Sequence, residues 1–238
     1  ALLTMVRKPA PVQVTWLGFV ATSGLTAIDY YLTDEIITPP GVEHLFSETL
    51  YRLPTYAGSY RALSRNPLWR YQPLYAVRPT PAIRNGFITY GSCNNLGKLT
   101  DEVLTLWGRL LQQMPTAHLL IEGKGFNKID FAESYRTRCA SLGIDIERLD
   151  LIPLDTNRQY LSYHDIDIAL DPFPLNGGTT TCDVLWMGLP LVAMEGDSSP
   201  SRMCTDALTH LGRTEWVAKT PEEYVAIAID LASNVTQL

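Results

Sequence analysis

The apolar rhythm of the chain changes near residue 86. Before that point, three short runs are β-branched and aromatic: QVTWLGF (13–19), IDYYLTD (28–34) and TLYRLP (49–54). Turn formers separate them, so each predicts a strand. Residues 54–86 are rich in Pro, Arg, Tyr and Asn without a clear period. They predict a connector that wraps a surface, or a boundary between lobes. After Gly86, apolar runs alternate with amphipathic ones. FITYGSC (87–93), HLLIEG (118–123), LDLIPL (149–154), IDIALDP (166–172), LPLVAME (189–195) and EWVAK (215–219) predict strands. Between them, 100–115, 132–143, 157–164, 179–188, 201–212 and 221–234 predict helices. Thr100 is placed to cap the first of these, Asp101 and Glu102 suit its positive end, and Pro115 follows its stop. Buried strands alternating with helices imply a parallel sheet covered on both faces, a doubly wound α/β domain over about 85–238.

Composition narrows the classes. A chain of 238 residues with 46% hydrophobic content can bury a core. The net charge of −6 argues against a nucleic-acid partner, because a phosphate-reading surface needs a basic field. No apolar run approaches the ~20 residues that cross a bilayer, so no membrane partner is expected. The cysteines, Cys93, Cys139, Cys182 and Cys204, form no CxxC pair and no zinc-ligand spacing. They read as reduced thiols of a cytoplasmic protein. The sequence starts ALLTMVRK, without an initiator Met, which reads as a piece of a longer protein.

Two loops carry candidate chemistry. NGGTTTCD (176–183) lies between a strand and a helix, at a strand's carboxyl end, where such sheets bind ligands. Gly177 and Gly178 permit close backbone approach, and Thr179 and Thr180 add hydroxyls at the start of a helix, a ready anion site. Asp183, about one turn further on, suits the hydroxyls of a ribose. A tight turn with a Thr cap and an acidic first turn explains the same residues, and both readings stay open. The stretch is neither a Walker loop nor GxGxxG. The second loop is CNNLGK (93–98), where Lys98 could place a charge on a diphosphate or simply face solvent.

Taken together, these pieces resemble one family. APVQVTWLGF, IDYYLTD, SETLYRLP, SCNNLGKLT, ERLDLIPL, DIDIALDPFPLNGGTTTCDVLWMGLPLV, SRMCTDALTHLG and EEYVAIAIDLA follow in order along nearly the whole chain. They are similar to the O-GlcNAc transferase and SPINDLY-like glycosyltransferases of family 41, in their bacterial form. The resemblance implies the GT-B fold, two Rossmann-like lobes with a sugar nucleotide in the cleft. Residues 1–75 would end an incomplete N-terminal lobe, and 76–238, final helix included, would form the nucleotide-sugar-binding lobe. It implies an inverting transfer that needs no metal and no cofactor. A sugar would pass from a nucleotide donor, usually UDP-GlcNAc, to Ser or Thr hydroxyls of an acceptor protein. Plant relatives use GDP-fucose.

By the same resemblance, the diphosphate lysine falls on Lys98, beside Asn95. The phosphate-binding helix start falls on Gly178, Thr179 and Thr180, and the ribose carboxylate on Asp183. The base-stacking position falls on Tyr160, and Leu17 and Gly18 line the sugar pocket. Lys98, the hydroxyls and the helix N-terminus would stabilise the charge of the departing diphosphate. Two departures stand out. Animal relatives carry His where Gly178 stands, and the family's catalytic histidines belong upstream of residue 1. None of His44, His118, His164 or His210 replaces them; each reads as structural or solvent-facing. The rest of the N-terminal lobe, and the helical repeats of many members, would be partners within the parent chain, without which this piece is expected to be inactive. The alternatives are a non-catalytic nucleotide-binding or scaffold relative, or another GT-B sugar-nucleotide enzyme.

Overall fold

A computed structural model describes residues 2–18, 20–62, 72–156, 160–236 and 238. Two all-parallel sheets organise them. The smaller contains β1 (Val14–Thr15), β2 (Tyr30–Asp34) and β3 (Thr49–Leu53), in that order. The larger contains β4 (Thr89–Ser92), β5 (His118–Gly123), β6 (Leu149–Pro153), β7 (Ile168–Leu170), β8 (Leu191–Met194) and β9 (Val217–Ala218). Its strand order is β6-β5-β4-β7-β8-β9. The chain therefore builds outward from β4 in one direction, returns, and builds outward from β7 in the other. A crevice opens where the order reverses, at the carboxyl ends of β4 and β7. The loops leaving those two ends are the two loops singled out in the sequence.

Helices cover both faces of the larger sheet. α1 (Leu2–Met5) and α2 (Ala82–Asn85) are single turns. α3 (Asp101–Gln113), α4 (Ile129–Ser141), α5 (Thr179–Trp186), α6 (Met203–Leu211) and α7 (Pro221–Ser233) follow. In α3, Thr100 accepts a hydrogen bond from Val103 N at 3.3 Å. Such a cap contributes about 1 kcal/mol. Val103, Leu104, Leu106, Trp107, Leu110 and Leu111 are all buried on one stripe of the helix. Each contributes about 1.5–3 kcal/mol, so packing outweighs capping in holding α3. Its face joins Tyr90, Ile121, Leu170 and Tyr224 in one core cluster, while Tyr163, Val184, Leu191, Cys204 and Leu208 form the other. Inside the first cluster, Trp107 Nε1 donates to the Tyr224 hydroxyl at 3.3 Å, and that hydroxyl donates to the Asp171 carbonyl at 3.0 Å. The last long helix is thereby pinned beneath the start of the NGGTTT loop.

Several local expectations change. The strand expected over 13–19 is only two residues long, because Leu17 adopts a left-handed backbone with φ of 56° and turns the chain away. The helix expected over 157–164 is a 3₁₀ segment, Leu161–Asp165, in its described part; 157–159 lie outside the described residues. The connector contains the single turn of α2, closed by Gly86 with φ of 77°; 63–71 also lie outside the described residues.

Candidate nucleotide-binding cleft

The loop after β7 is shaped by two buried side chains that the sequence pattern did not single out. Asp171 follows β7 directly and has no exposed surface. Its Oδ1 and Oδ2 accept from Gly177 N at 2.9 and 3.2 Å. Burial pushes this carboxyl up to about 7, against the pull of the Gly177 N–H, Lys98, Asn94 and Asn176. Asn176 is equally buried. Its Nδ2 donates to the Pro172 and Met194 carbonyls at 3.2 and 3.3 Å, and its Oδ1 accepts from Cys204 N at 3.4 Å. One amide thus ties the loop to β8 and α6.

The turn this creates admits no side chain at Gly177. A Cβ there would lie 2.5 Å from Thr181 Oγ1 and 2.6 Å from Asp171 Oδ1. At Gly178 a Cβ would meet only Met203 Sδ, at 3.6 Å, so that position has room. Gly178 is the N-cap of α5 and supplies no side-chain cap. The first-turn N–H groups of α5, at Thr179, Thr180 and Thr181, have no acceptor within the helix and carry partial positive charge.

Lys98 joins this loop from the other side of the crevice. It ends the 3₁₀ turn Leu96–Lys98, and its Nζ donates to the Asn176 carbonyl at 2.6 Å. Partial burial lowers its pKa, with the Asp171 charge acting against that. Of the two neighbouring asparagines, Asn95 is exposed and caps the same turn, accepting from Gly97 N at 2.9 Å. Asn94 is the buried one; its amide is hydrogen-bonded to Asp171, and its Oδ1 has no partner among the described residues.

Asp183 lies on the next turn of α5. Its Oδ1 accepts from the Tyr60 hydroxyl at 2.5 Å, and Tyr160 also bonds this carboxylate. Burial raises its pKa, with both tyrosines opposing. Tyr160 differs from the expectation of an open ring. It is 4% exposed, has a left-handed φ of 73°, and stacks on Tyr163 with centroids 6.4 Å apart. Its hydroxyl faces Asp183, and its ring packs in the core.

The loops at the carboxyl ends of β1, β2, β3 and β7 enclose one cavity of about 470 Å³. Leu17 and Gly18 line it from the first sheet's side, Gly178 and Thr179 from the second's. Tyr56, Tyr60, Cys182 and Asp206 complete much of the wall. Thus four of the residues singled out in the sequence share one cavity. Lys98 is not part of the lining; it bonds the Asn176 carbonyl, two residues before Gly178, and Thr180 and Asp183 lie further along α5. The histidines sit elsewhere or in pairs: His44 is exposed, His118 stacks on Phe87 at 4.2 Å, and His164 bonds the Ala76 carbonyl at 3.0 Å. His210 Nδ1 lies 2.9 Å from Asp206 Oδ1. No described helix is long and apolar enough to cross a membrane.

Asp171 had a visible signal, a carboxylate ending an otherwise apolar strand (IALD). Tyr60 had none, since its partner lies 123 residues away.

Known proteins show which family the chain and its fold resemble. The family model described as glycosyl transferase family 41 matches residues 3–63 and 72–238. The Oryza sativa subsp. japonica protein described as a probable UDP-N-acetylglucosamine–peptide N-acetylglucosaminyltransferase SPINDLY is 41% identical over 237 residues, 99% of this chain and 25% of that protein. The Arabidopsis thaliana SPINDLY protein, similarly described, gives the same identity and coverage. A mutant of the Thermobaculum terrenum O-GlcNAc transferase superposes with a TM-score of 0.87 at 33% identity, over 99% of this chain and 43% of that one. The two parallel sheets are those of a GT-B transferase, and the chain spans about a quarter of the length of the curated relatives it matches. On sequence and on fold, the chain belongs to glycosyl transferase family 41.

Proposed function

We propose that this chain is the donor-holding part of an inverting, metal-independent glycosyltransferase. It would move a sugar from a nucleoside diphosphate, UDP-GlcNAc before others, to Ser or Thr hydroxyls of proteins. The observation that carries this reading is the meeting of Lys98 with the Asn176–Gly178 turn at the uncapped start of α5. In the reaction, the acceptor oxygen bonds the anomeric carbon while the bond from that carbon to the diphosphate oxygen breaks. The electron pair leaves with the diphosphate, and the hydroxyl proton goes to a base. The new negative charge is what a lysine ammonium, two threonine hydroxyls and free helix N–H groups stabilise. No metal is required for that role. Asp183, held by two tyrosines, would accept from the ribose hydroxyls with its remaining lone pairs.

The lobe limits near residue 75, the rest of an N-terminal lobe and a protein acceptor belong to this proposal, as does a reducing cytoplasmic setting for four free thiols. The test is transfer by the full-length parent from UDP-GlcNAc to Ser/Thr peptides in the presence of EDTA, read by mass spectrometry, with NMR of the product anomer. A β-linked product that disappears in Lys98→Ala supports the reading. An α-linked product, or activity unaffected by Lys98→Ala, overturns it.

A further inference from the structure

The cavity lies between two sheets, so a ligand held by both depends on how they are registered. Several side chains cross that seam, Tyr60 to Asp183 among them, and one crossing pair is acidic. Asp34 closes β2 and is 2% exposed. Its Oδ1 accepts from Ile36 N and Ile37 N at 2.9 and 2.8 Å, and its Oδ2 from Ala57 N at 3.1 Å. Asp206, on α6, is 3% exposed and hydrogen-bonded to Asp34. Both line the cavity. Two carboxyl groups can be hydrogen-bonded to each other only when one of them holds a proton, and Asp206, whose pKa burial raises, is that one.

Among the described residues, His210, Tyr56 and Cys182 also face Asp206. His210, one turn along α6, has Nδ1 at 2.9 Å from Asp206 Oδ1. Tyr56, from the loop after β3, stacks obliquely on His210 at 5.8 Å, and its hydroxyl lies 3.7 Å from Cys182 Sγ of α5. Burial pushes both the Tyr56 hydroxyl and the Cys182 thiol up, so neither adds charge near neutrality. Burial and the Asp34 charge push Asp206 up to about 7, with His210 opposing. On its other side, α6 is tied to the glycine loop: Cys204 N donates to Asn176 Oδ1 at 3.4 Å, and the Asn176 carbonyl receives Lys98.

We propose that Asp206 is a positioning residue of the cleft, whose protonated carboxyl bolts α6, and through Asn176 the glycine loop, to the end of β2. The residue touches no reacting atom in this account. Loss of its proton leaves two carboxylates facing each other across the seam, and the seam loosens. Nucleotide binding therefore weakens as pH rises through neutrality. That consequence rests on the donor-site reading above; the bolt itself does not.

The experiment compares the unaltered 238-residue chain with Asp206→Asn and Asp34→Asn, at pH 6 and pH 8.5. Asp206→Asn keeps a donor–acceptor pair without a titrating proton, and the new amide of Asp34→Asn can donate to an ionised Asp206, so that pair no longer needs the proton. One readout is UDP affinity by calorimetry. The other is alkylation of Cys182 by iodoacetamide, followed by peptide mass spectrometry, which needs no nucleotide. The unaltered chain is expected to lose about tenfold in UDP affinity across that range beyond any change in the variants. Its Cys182 should react several-fold faster than in Asp206→Asn at pH 8.5, and equally at pH 6. Equal pH slopes in affinity and equal alkylation at pH 8.5 overturn the bolt. If UDP binds none of the proteins, the donor-site reading fails, and the alkylation ratio alone decides the bolt. If Asp206→Asn does not fold, Asp34→Asn carries the same comparison.

Discussion

Lys98 Nζ donates to the Asn176 carbonyl at 2.6 Å across 78 residues of chain. That bond joins the loop after β4 to the loop after β7, the two strands where the sheet changes direction. It is possible because Asn176 spends its side chain on structure, leaving its carbonyl turned to the crevice. Asn176→Ala removes the partners of the Pro172 and Met194 carbonyls and of Cys204 N. Each unsatisfied buried group costs about 1–3 kcal/mol. A loss of roughly 3 kcal/mol in urea unfolding, with loss of nucleotide binding, is expected.

The two adjacent glycines should behave differently. Gly177→Ala forces a Cβ to within 2.5 Å of Thr181 Oγ1 and 2.6 Å of Asp171 Oδ1. Overpacking of that kind costs about 1–3 kcal/mol. Gly178→Ala places its Cβ at ordinary contact, 3.6 Å from Met203 Sδ, and should stay within about 0.5 kcal/mol of the parent. Thermal unfolding of the pair checks this contrast; equal effects would count against the turn described here.

Asp171 sets a pH dependence whose sign is fixed. Its carboxyl titrates near 3.8 in the unfolded chain and is pushed up to about 7 in the folded one. Between those values the folded state holds the extra proton, so stability falls as pH rises through the window and levels off above it. Each unit of difference corresponds to about 1.4 kcal/mol. Asp206 contributes a fall of the same sign over the same window. Asp171→Asn should therefore flatten the slope between pH 5 and pH 8 by at least about 1 kcal/mol without abolishing it. Urea unfolding at the two pH values measures this, and an unchanged slope would show that Asp171 is ionised throughout.

Tyr60 reaches Asp183 from the other sheet at 2.5 Å. Tyr60→Phe leaves the ring in place and removes one donor. Asp183 keeps Tyr160, so the fold should lose only about 1 kcal/mol. If Asp183 holds a ribose, the nucleotide dissociation constant should rise several-fold, while inorganic diphosphate should bind unchanged. A parallel loss for diphosphate would place the effect on the loop and not on the ribose contact.

Much of the larger sheet was legible because its strands are buried on both faces and read as apolar runs between amphipathic helices. α3 could be read to its cap, since Thr100, Asp101 and Glu102 act locally. Legibility failed where a fact depends on distant chain. Sequence does not say which of Asn94 and Asn95 turns inward; Asn95 caps the turn Leu96–Lys98, and the Asp171 carboxylate, distant in sequence, bonds Asn94. Tyr160 looked like a ring for a base. Its left-handed backbone and Tyr163 place the ring in the core, which no local pattern announces. Asp34 and Asp206 lie in separate sheets' territories and were indistinguishable from surface acids. The loop NGGTTTCD was visible as chemistry, but the reason for its two glycines differs. One is demanded by packing, and the other opens the helix start.

The most direct test of the donor site is calorimetric titration of the chain with UDP and GDP at pH 7, alongside Lys98→Ala and Thr180→Val. The account predicts that a nucleotide binds and that each variant weakens it by about tenfold or more, the equivalent of one charge-assisted hydrogen bond. Binding that ignores both substitutions, or no binding of either nucleotide, would contradict it.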